Sequence, residues 1–399
     1  MSIERRGSGN HDRKPSVCCA RGQRLSPFAR VIVTASALLL LSGVCAVGVG
    51  CTEDGGETVS TVSSSDAAAP TSVSDGMSPS AGPLPTKIGI VAPEKANDFG
   101  WNQQGVESVR AIAAEIGAEI AVADGAGYGD IAPVYRQLVA DGVDWMILWA
   151  SGYNTVGPQL AEETGIKTVV IGAFESGLLP GLCADFETDA QDGAYLAGVT
   201  AALMSATGTI GVVVSADDEN WNKMAGGFIA GARAARPDID IKLAQAGQAA
   251  YADAPAGKRV TESVIAAGAD IILGMGDGST FGMLQAVENA DPPAGADKVW
   301  FIDVIGDKTS IDEKNVILTS VLWDYLPLFR QAVSQMETGS YGSEILYLGL
   351  DEDGVGLLPS DDIPADVWTA VEKARADIQS GAIDVPVTVS KSDIDSLLR

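Results

Sequence analysis

From Lys87 onward, apolar runs of strand length alternate with segments of helical periodicity. KIGIVAP, AEIAVAD, DWMILWA and KTVVIGA, all between residues 87 and 173, are apolar almost without interruption. Such runs predict parallel strands covered by helices on both faces. Between them VESVRAIAAEIG, IAPVYRQLVADG and TVGPQLAEETG carry the helical period, and each ends in the glycine expected just past a helix. A second set of similar length follows. TIGVVVS, IDIKLAQAG, DIILGMG and KVWFIDV read as strands, and KMAGGFIAGARAARP, GKRVTESVIAAG and FGMLQAVENA as the helices between them. The predicted fold class is α/β, with two doubly wound parallel-sheet lobes.

Upstream the pattern is different. RVIVTASALLLLSGVCAVGVGC, from Arg30 to Cys51, places 20 uncharged residues behind a basic flank. Residues 1–51 read as a signal peptide, and VGVGC looks like the lipobox of bacterial lipoproteins, with Cys51 as the lipidated residue and Gly48 where an aliphatic side chain is usual. A transmembrane anchor is the competing reading, since the run just reaches spanning length. Residues 52–86, rich in Ser, Thr, Ala, Gly and Pro, are too poor in large apolar side chains to offset their ordering entropy and read as a disordered tether. Every one of these readings puts the rest of the chain outside the cytoplasm.

Composition then removes several chemistries. Over 399 residues the net charge is −27, although Arg5, Arg6, Arg13, Lys14, Arg21, Arg24 and Arg30 crowd the leader, so the remainder is more acidic still. That field repels phosphate backbones and argues against a nucleic-acid partner. The single histidine is His11, and the only cysteine beyond Cys51 is Cys183. Ser-His-Asp, Cys-His and histidine-metal sites are therefore excluded for the body, as is any disulfide framework, and no cofactor or metal is expected. Cys183 reads as a small buried hydrophobe.

In doubly wound sheets ligands sit beyond the carboxyl ends of the strands, so the loops there are the candidates. After the first strand come Asp98, Phe99, Trp101 and Asn102; after the third, Ser151 and Tyr153. In the second set Trp221 follows Asp217 and Asp218, Tyr251 follows IDIKLAQAG, Asp277 follows DIILGMG, and Asp303 ends KVWFIDV. Aromatic plates beside acids and amides suit a flat, neutral ligand with polar edges. Each residue also has a plainer reading. Asp98 or Asn102 can cap the following helix, the aromatics can plug a sheet edge, Asp217 and Asp218 can be a solvated face, and Asp277 between two glycines can be a turn.

DFGWNQQGVESV near residue 100, DGAYLAGVTAALMSATGTIGVVVS from Asp192, GGFIAGARAARPDIDI from Gly226, AGADIILGMGDGSTFGM from Ala267 and VILTSVLWDY from Val316 occur in an order and spacing that resembles the basic membrane protein family. These are substrate-binding lipoproteins of ABC transporters and include purine nucleoside receptors. The resemblance implies a type I periplasmic-binding-protein fold, two lobes joined by three crossovers. It divides the chain into a first lobe of residues 87–205 plus about 323–345 and a second of 206–322 plus about 346–399. It also implies a base held between aromatics, here Trp101 and Tyr251, with Asp98 and Asn102 at its edge. Two positions depart from the nucleoside-binding relatives: FIDVIGDK stands for IGVDSDQ, which moves the ribose-holding acid to Asp303 or removes it, and Trp323 stands where a lysine is usual. The expected partners are a purine base or nucleoside, ABC permease subunits and, through a lipid anchor, the membrane. A sensor for a signalling partner, a binder of sugar or another small polar metabolite, and a nucleoside hydrolase remain as alternatives.

Overall fold

The computed structural model describes residues 82–351 and 354–399; the leader, Cys51 and the tether up to residue 81 lie outside them. The first set of elements runs β1 (Lys87–Ala92), α1 (Trp101–Ile116), β2 (Glu119–Asp124), α2 (Ala132–Ala140), β3 (Trp145–Leu148), α3 (Val156–Thr164), β4 (Lys167–Ile171) and β5 (Cys183–Thr188). The chain continues through α4 (Ala190–Met204), β6 (Thr209–Val214), α5 (Glu219–Ala235), β7 (Asp240–Gln245), α6 (Ala254–Ala266), β8 (Ile271–Met275), α7 (Thr280–Glu288), β9 (Trp300–Ile305) and β10 (Ile317–Trp323). It closes with α8 (Leu326–Thr338), β11 (Leu346–Leu348), β12 (Val355–Leu357), α9 (Ala365–Gln379) and α10 (Lys391–Leu397).

Two six-stranded sheets result, in the orders β11-β5-β4-β3-β1-β2 and β12-β10-β9-β8-β6-β7. Every pairing is parallel except β10 with β12. This is the doubly wound, two-lobed α/β architecture of type I solute-binding proteins. The chain crosses between the sheets after Thr188, after Trp323 and after Leu348.

The sheet content shifts the expected lobe boundaries. α4 packs on α5, α9 and β12 of the second lobe rather than on the first, and β11 adds to the first sheet although it lies in the stretch assigned to the second lobe. Glycines set the α4–α5 approach: a Cβ on Gly198, Gly227 or Gly231 would lie 2.1 Å from a carbonyl oxygen of the facing helix. Only residues without side chains let two helix backbones come that near. The central strands β3, β4 and β8 are wholly or almost wholly buried, as their apolar runs require, and β5 is wholly buried as well. β2 is an edge strand with Ile120 and Val122 exposed, so AEIAVAD is half-buried rather than covered on both faces.

β5 carries two acids that the strand pattern did not flag. Asp185 accepts from the backbone N–H of Ala173 (3.0 Å) and Phe174 (2.9 Å). Glu187 faces Lys223 of α5 across the lobe boundary at 3.8 Å, and Lys223 also pairs with Glu219 at 2.9 Å while lying over the Phe174 ring. Burial pushes both acids above the usual carboxylate range, and their mutual proximity adds to the effect on Asp185.

Candidate functional site

The carboxyl ends of the two sheets face each other and enclose about 510 Å³ of open space, its mouth included. The first lobe contributes Pro93, Trp101, Tyr128, Ala150, Ser151 and Ile171; the second contributes Asp218, Asn220, Trp221, Tyr251, Asp277, Ile305 and Trp323.

Trp101 opens α1 and stacks on Trp149, which follows β3, with ring centroids 4.5 Å apart and planes at 17°. Each indole N–H donates to the other residue's carbonyl, at 2.9 and 2.8 Å. Trp149 can lie there because α1 has Gly105 beneath it, where a Cβ would stand 2.2 Å from the indole nitrogen. Trp323, at the end of β10, meets Trp101 edge-on at 6.2 Å and inclines to Trp221 at 6.3 Å. Tyr128 and Tyr251 stack across the mouth from opposite lobes, 6.0 Å apart at 23°.

The lobes also touch through backbone. A Cβ on Gly306, just after β9, would lie 2.3 Å from the Phe99 carbonyl oxygen. Phe99 and Ile305 both hold positive φ, 52° and 72°, in the left-handed region that a non-glycine residue rarely adopts. The strain lies on both sides of the contact where the lobes close.

Of the residues singled out from the sequence, Trp101, Ser151, Trp221, Tyr251, Asp277 and Trp323 line this space together. Asp98, Phe99, Asn102, Tyr153 and Asp303 do not. Asp98 is consumed by the start of α1: it accepts from the backbone N–H of Gly100, Asn102 and Gln103 and from the Asn102 amide at 2.7 Å. The buried Asn102 in turn accepts from Glu94 N–H. Tyr153 lies in the core beneath α2 and α3 and donates its hydroxyl to the Gly127 carbonyl. Asp303 pairs with the equally buried Lys308 at 2.6 Å, burial raising its pKa to about 6 against the pull of that ammonium. A ribose-holding role at Asp303 is therefore not open to it in this arrangement.

Pro93 and Tyr128 were not singled out from the sequence, whereas Asp218 was named there with a solvated face as its plainer reading, and Asn220 follows it at the start of α5. Asp218 looked like a solvated acid beside Asp217, yet its Oδ1 accepts from the Asn220 N–H (2.9 Å) and the Trp221 N–H (3.4 Å) at the start of α5, and its Oδ2 accepts the Tyr251 hydroxyl at 3.1 Å. Tyr128 sits in the loop after β2, and only its place beyond a strand end could have flagged it.

Several polar atoms in this wall are buried without a protein partner: Asn220 Oδ1, Trp221 Nε1, Asp277 Oδ1 and Trp323 Nε1. Two are donors and two are acceptors. Buried polar groups are normally satisfied, so an orphaned set converging on one cavity marks where a polar ligand is expected. Desolvation holds Asp277 well above the usual carboxylate range, with Asp98, Glu94 and Asp218 adding to the shift. Burial likewise raises Asp218. Among the described residues no cluster of His, Cys, Asp and Glu is arranged to hold a metal.

A family profile described as ABC transporter substrate-binding protein PnrA-like matches residues 85–388. The chain belongs to this family. Relatives of this PnrA-like protein include a CD4+ T-cell-stimulating antigen of Listeria monocytogenes, 32% identical over 207 residues that cover 49% of this chain and 57% of that one. The ABC transporter nucleoside-binding protein BmpA of Lactococcus lactis is 30% identical over 209 residues, 49% of this chain and 58% of its own. The chain thus spans under two thirds of the length of these relatives. An ABC transporter solute-binding protein from Conexibacter woesei shares the fold, with a TM-score of 0.63 at 23% identity over 76% of this chain and 99% of that one. The PnrA-like family is one of substrate-binding proteins acting outside the cytoplasm, and among the described residues no helix is long and apolar enough to cross a membrane.

Proposed function

We propose that this chain captures a purine base or purine nucleoside between its two lobes and hands it to an ABC importer, held at the membrane by a lipidated Cys51. One observation carries the ligand class: a cavity walled by Trp101, Trp221, Trp323, Tyr128 and Tyr251 in which the unpaired polar atoms are edge-reading donors and acceptors rather than a cluster of ribose-type acids. A planar heterocycle offers its faces to the rings and its edge to those atoms. The nucleoside-binding relative from Lactococcus lactis supports the same class. Since the cavity draws on both lobes, ligand favours the closed form by its contacts with each, with no covalent step.

Titration calorimetry with adenine, adenosine, guanosine and inosine against ribose and glucose tests this. Binding of purines and not of sugars is expected, and binding of sugars alone would overturn it.

A further inference from the structure

Asp277 lies on the cavity wall, buried, and among the described residues no donor meets its Oδ1. The charged groups around it are nearly all of its own sign. Asp98 and Glu94 approach from the loop between β1 and α1, and Asp218 from the start of α5, with the Tyr128 and Tyr251 rings nearby. The N–H groups at the start of α1, which could have met a carboxylate, are already taken by Asp98. Among the described residues the cation that acts on it is Lys308, itself buried and spent on Asp303 (2.6 Å) and the Val304 carbonyl (3.1 Å). A carboxyl without donor, water-facing surface or counter-ion is placed at lowest cost as the uncharged acid.

Resting on the purine reading above, we infer that Asp277 sets ligand specificity as an uncharged carboxylic acid, giving one hydrogen bond and taking one, so that the ligand must present an N–H beside an acceptor. Adenine does so with its amino N–H and N1, and a lactam purine does so with N1–H and its carbonyl oxygen. An ionised carboxylate would instead need two adjacent N–H donors. Desolvation holds the Asp277 carboxyl well above its ordinary range, which favours the acid form. An asparagine has the same capacity, one donor side and one acceptor side, with no proton to lose.

The test takes the purine that binds most tightly and its counterpart methylated at the N–H, N6,N6-dimethyl for an adenine or N1-methyl for a lactam. Both are titrated into the wild type, Asp277→Asn and Asp277→Ala, between about pH 5 and about pH 9. A buried hydrogen-bonded pair is worth roughly tenfold or more in affinity. The wild type should prefer the unmethylated ligand by about that factor and weaken as pH rises and the acid ionises. Asp277→Asn should keep the affinity within about threefold and show no such fall, while Asp277→Ala should lose the preference between the two ligands. An undiminished preference in Asp277→Ala overturns the inference, as does Asp277→Asn falling as far as Asp277→Ala while the wild type is indifferent to pH. In both cases the purine reading survives. If no purine or nucleoside binds the wild type, that reading falls and this inference with it.

Discussion

Trp101 and Trp149 hold each other by two means at once: their rings stack 4.5 Å apart, and each donates its indole N–H to the other's carbonyl. Trp149 packs further against Tyr325 and Phe329, so the cavity-facing residue of the pair is braced from the core outward. Replacing Trp101 by alanine removes a wall of the site and the partner of a buried indole. Ligand affinity should fall about tenfold or more, given the roughly 1 to 3 kcal/mol that a base gains from one aromatic plate. Calorimetry measures it directly, and unchanged affinity would show that Trp101 only plugs the sheet edge.

The same brace makes Gly105 sensitive although it is not on the cavity wall. A methyl there would enter the Trp149 ring, 2.2 Å from its nitrogen. Gly105→Ala should lower stability by about 1 to 3 kcal/mol, the usual cost of overpacking, despite the higher helix propensity of alanine. Denaturant unfolding is the measurement. A rise in stability would mean that the ring moves aside without loss.

Asp185 and Glu187 make stability depend on pH in an unusual direction. Both are raised in the folded chain, Asp185 by burial and by its neighbour Glu187, so between the unfolded carboxylate range near pH 4 and their folded values the native state binds more protons than the unfolded one. Their contribution is greatest below about pH 4 and is lost as pH rises through the folded range. Asp185→Asn keeps an acceptor for only one of the Ala173 and Phe174 N–H groups, which Oδ1 and Oδ2 now serve separately, so it should lower stability overall while flattening that decline. Melting temperature against pH for both proteins decides it, and identical profiles would remove Asp185 as the cause.

On the proposed reading, membrane attachment rests on one side chain, that of Cys51. Cys51→Ser should shift the protein from the detergent-rich to the aqueous phase on Triton X-114 partitioning while leaving purine affinity untouched. Retention in the detergent phase would favour an uncleaved apolar anchor over a lipid.

The alternation of apolar strands and periodic helices was legible because a buried parallel sheet tolerates little else, and the strand-end rule pointed to loops that line the cavity between the sheets. β5 was not legible. CADFET breaks its apolar run with Asp185 and Glu187, which are buried only because loop N–H groups and Lys223 of the other lobe reach them. Within the loops, sequence could not separate ligand-facing polar residues from those already spoken for. Asp98 and Asp218 both follow strands and both precede helices, yet Asp98 is sealed by the first turn of α1 while Asp218 stays at the cavity and holds Tyr251. Both acids hold the start of their own helix, and the difference lies in Tyr251 of the same lobe packing against Asp218, which no local pattern records.

Where Gly306 meets Phe99, two backbones press together with no side chain between them. A side chain yields by changing rotamer, whereas two main chains at contact distance do not. If the lobes close on ligand as proposed, this contact would be a hard stop that sets the gap between the aromatic walls. On the proposed reading, such a stop would act as a gauge of thickness, with one flat ring enclosed at full closure and a bulkier solute holding the lobes ajar.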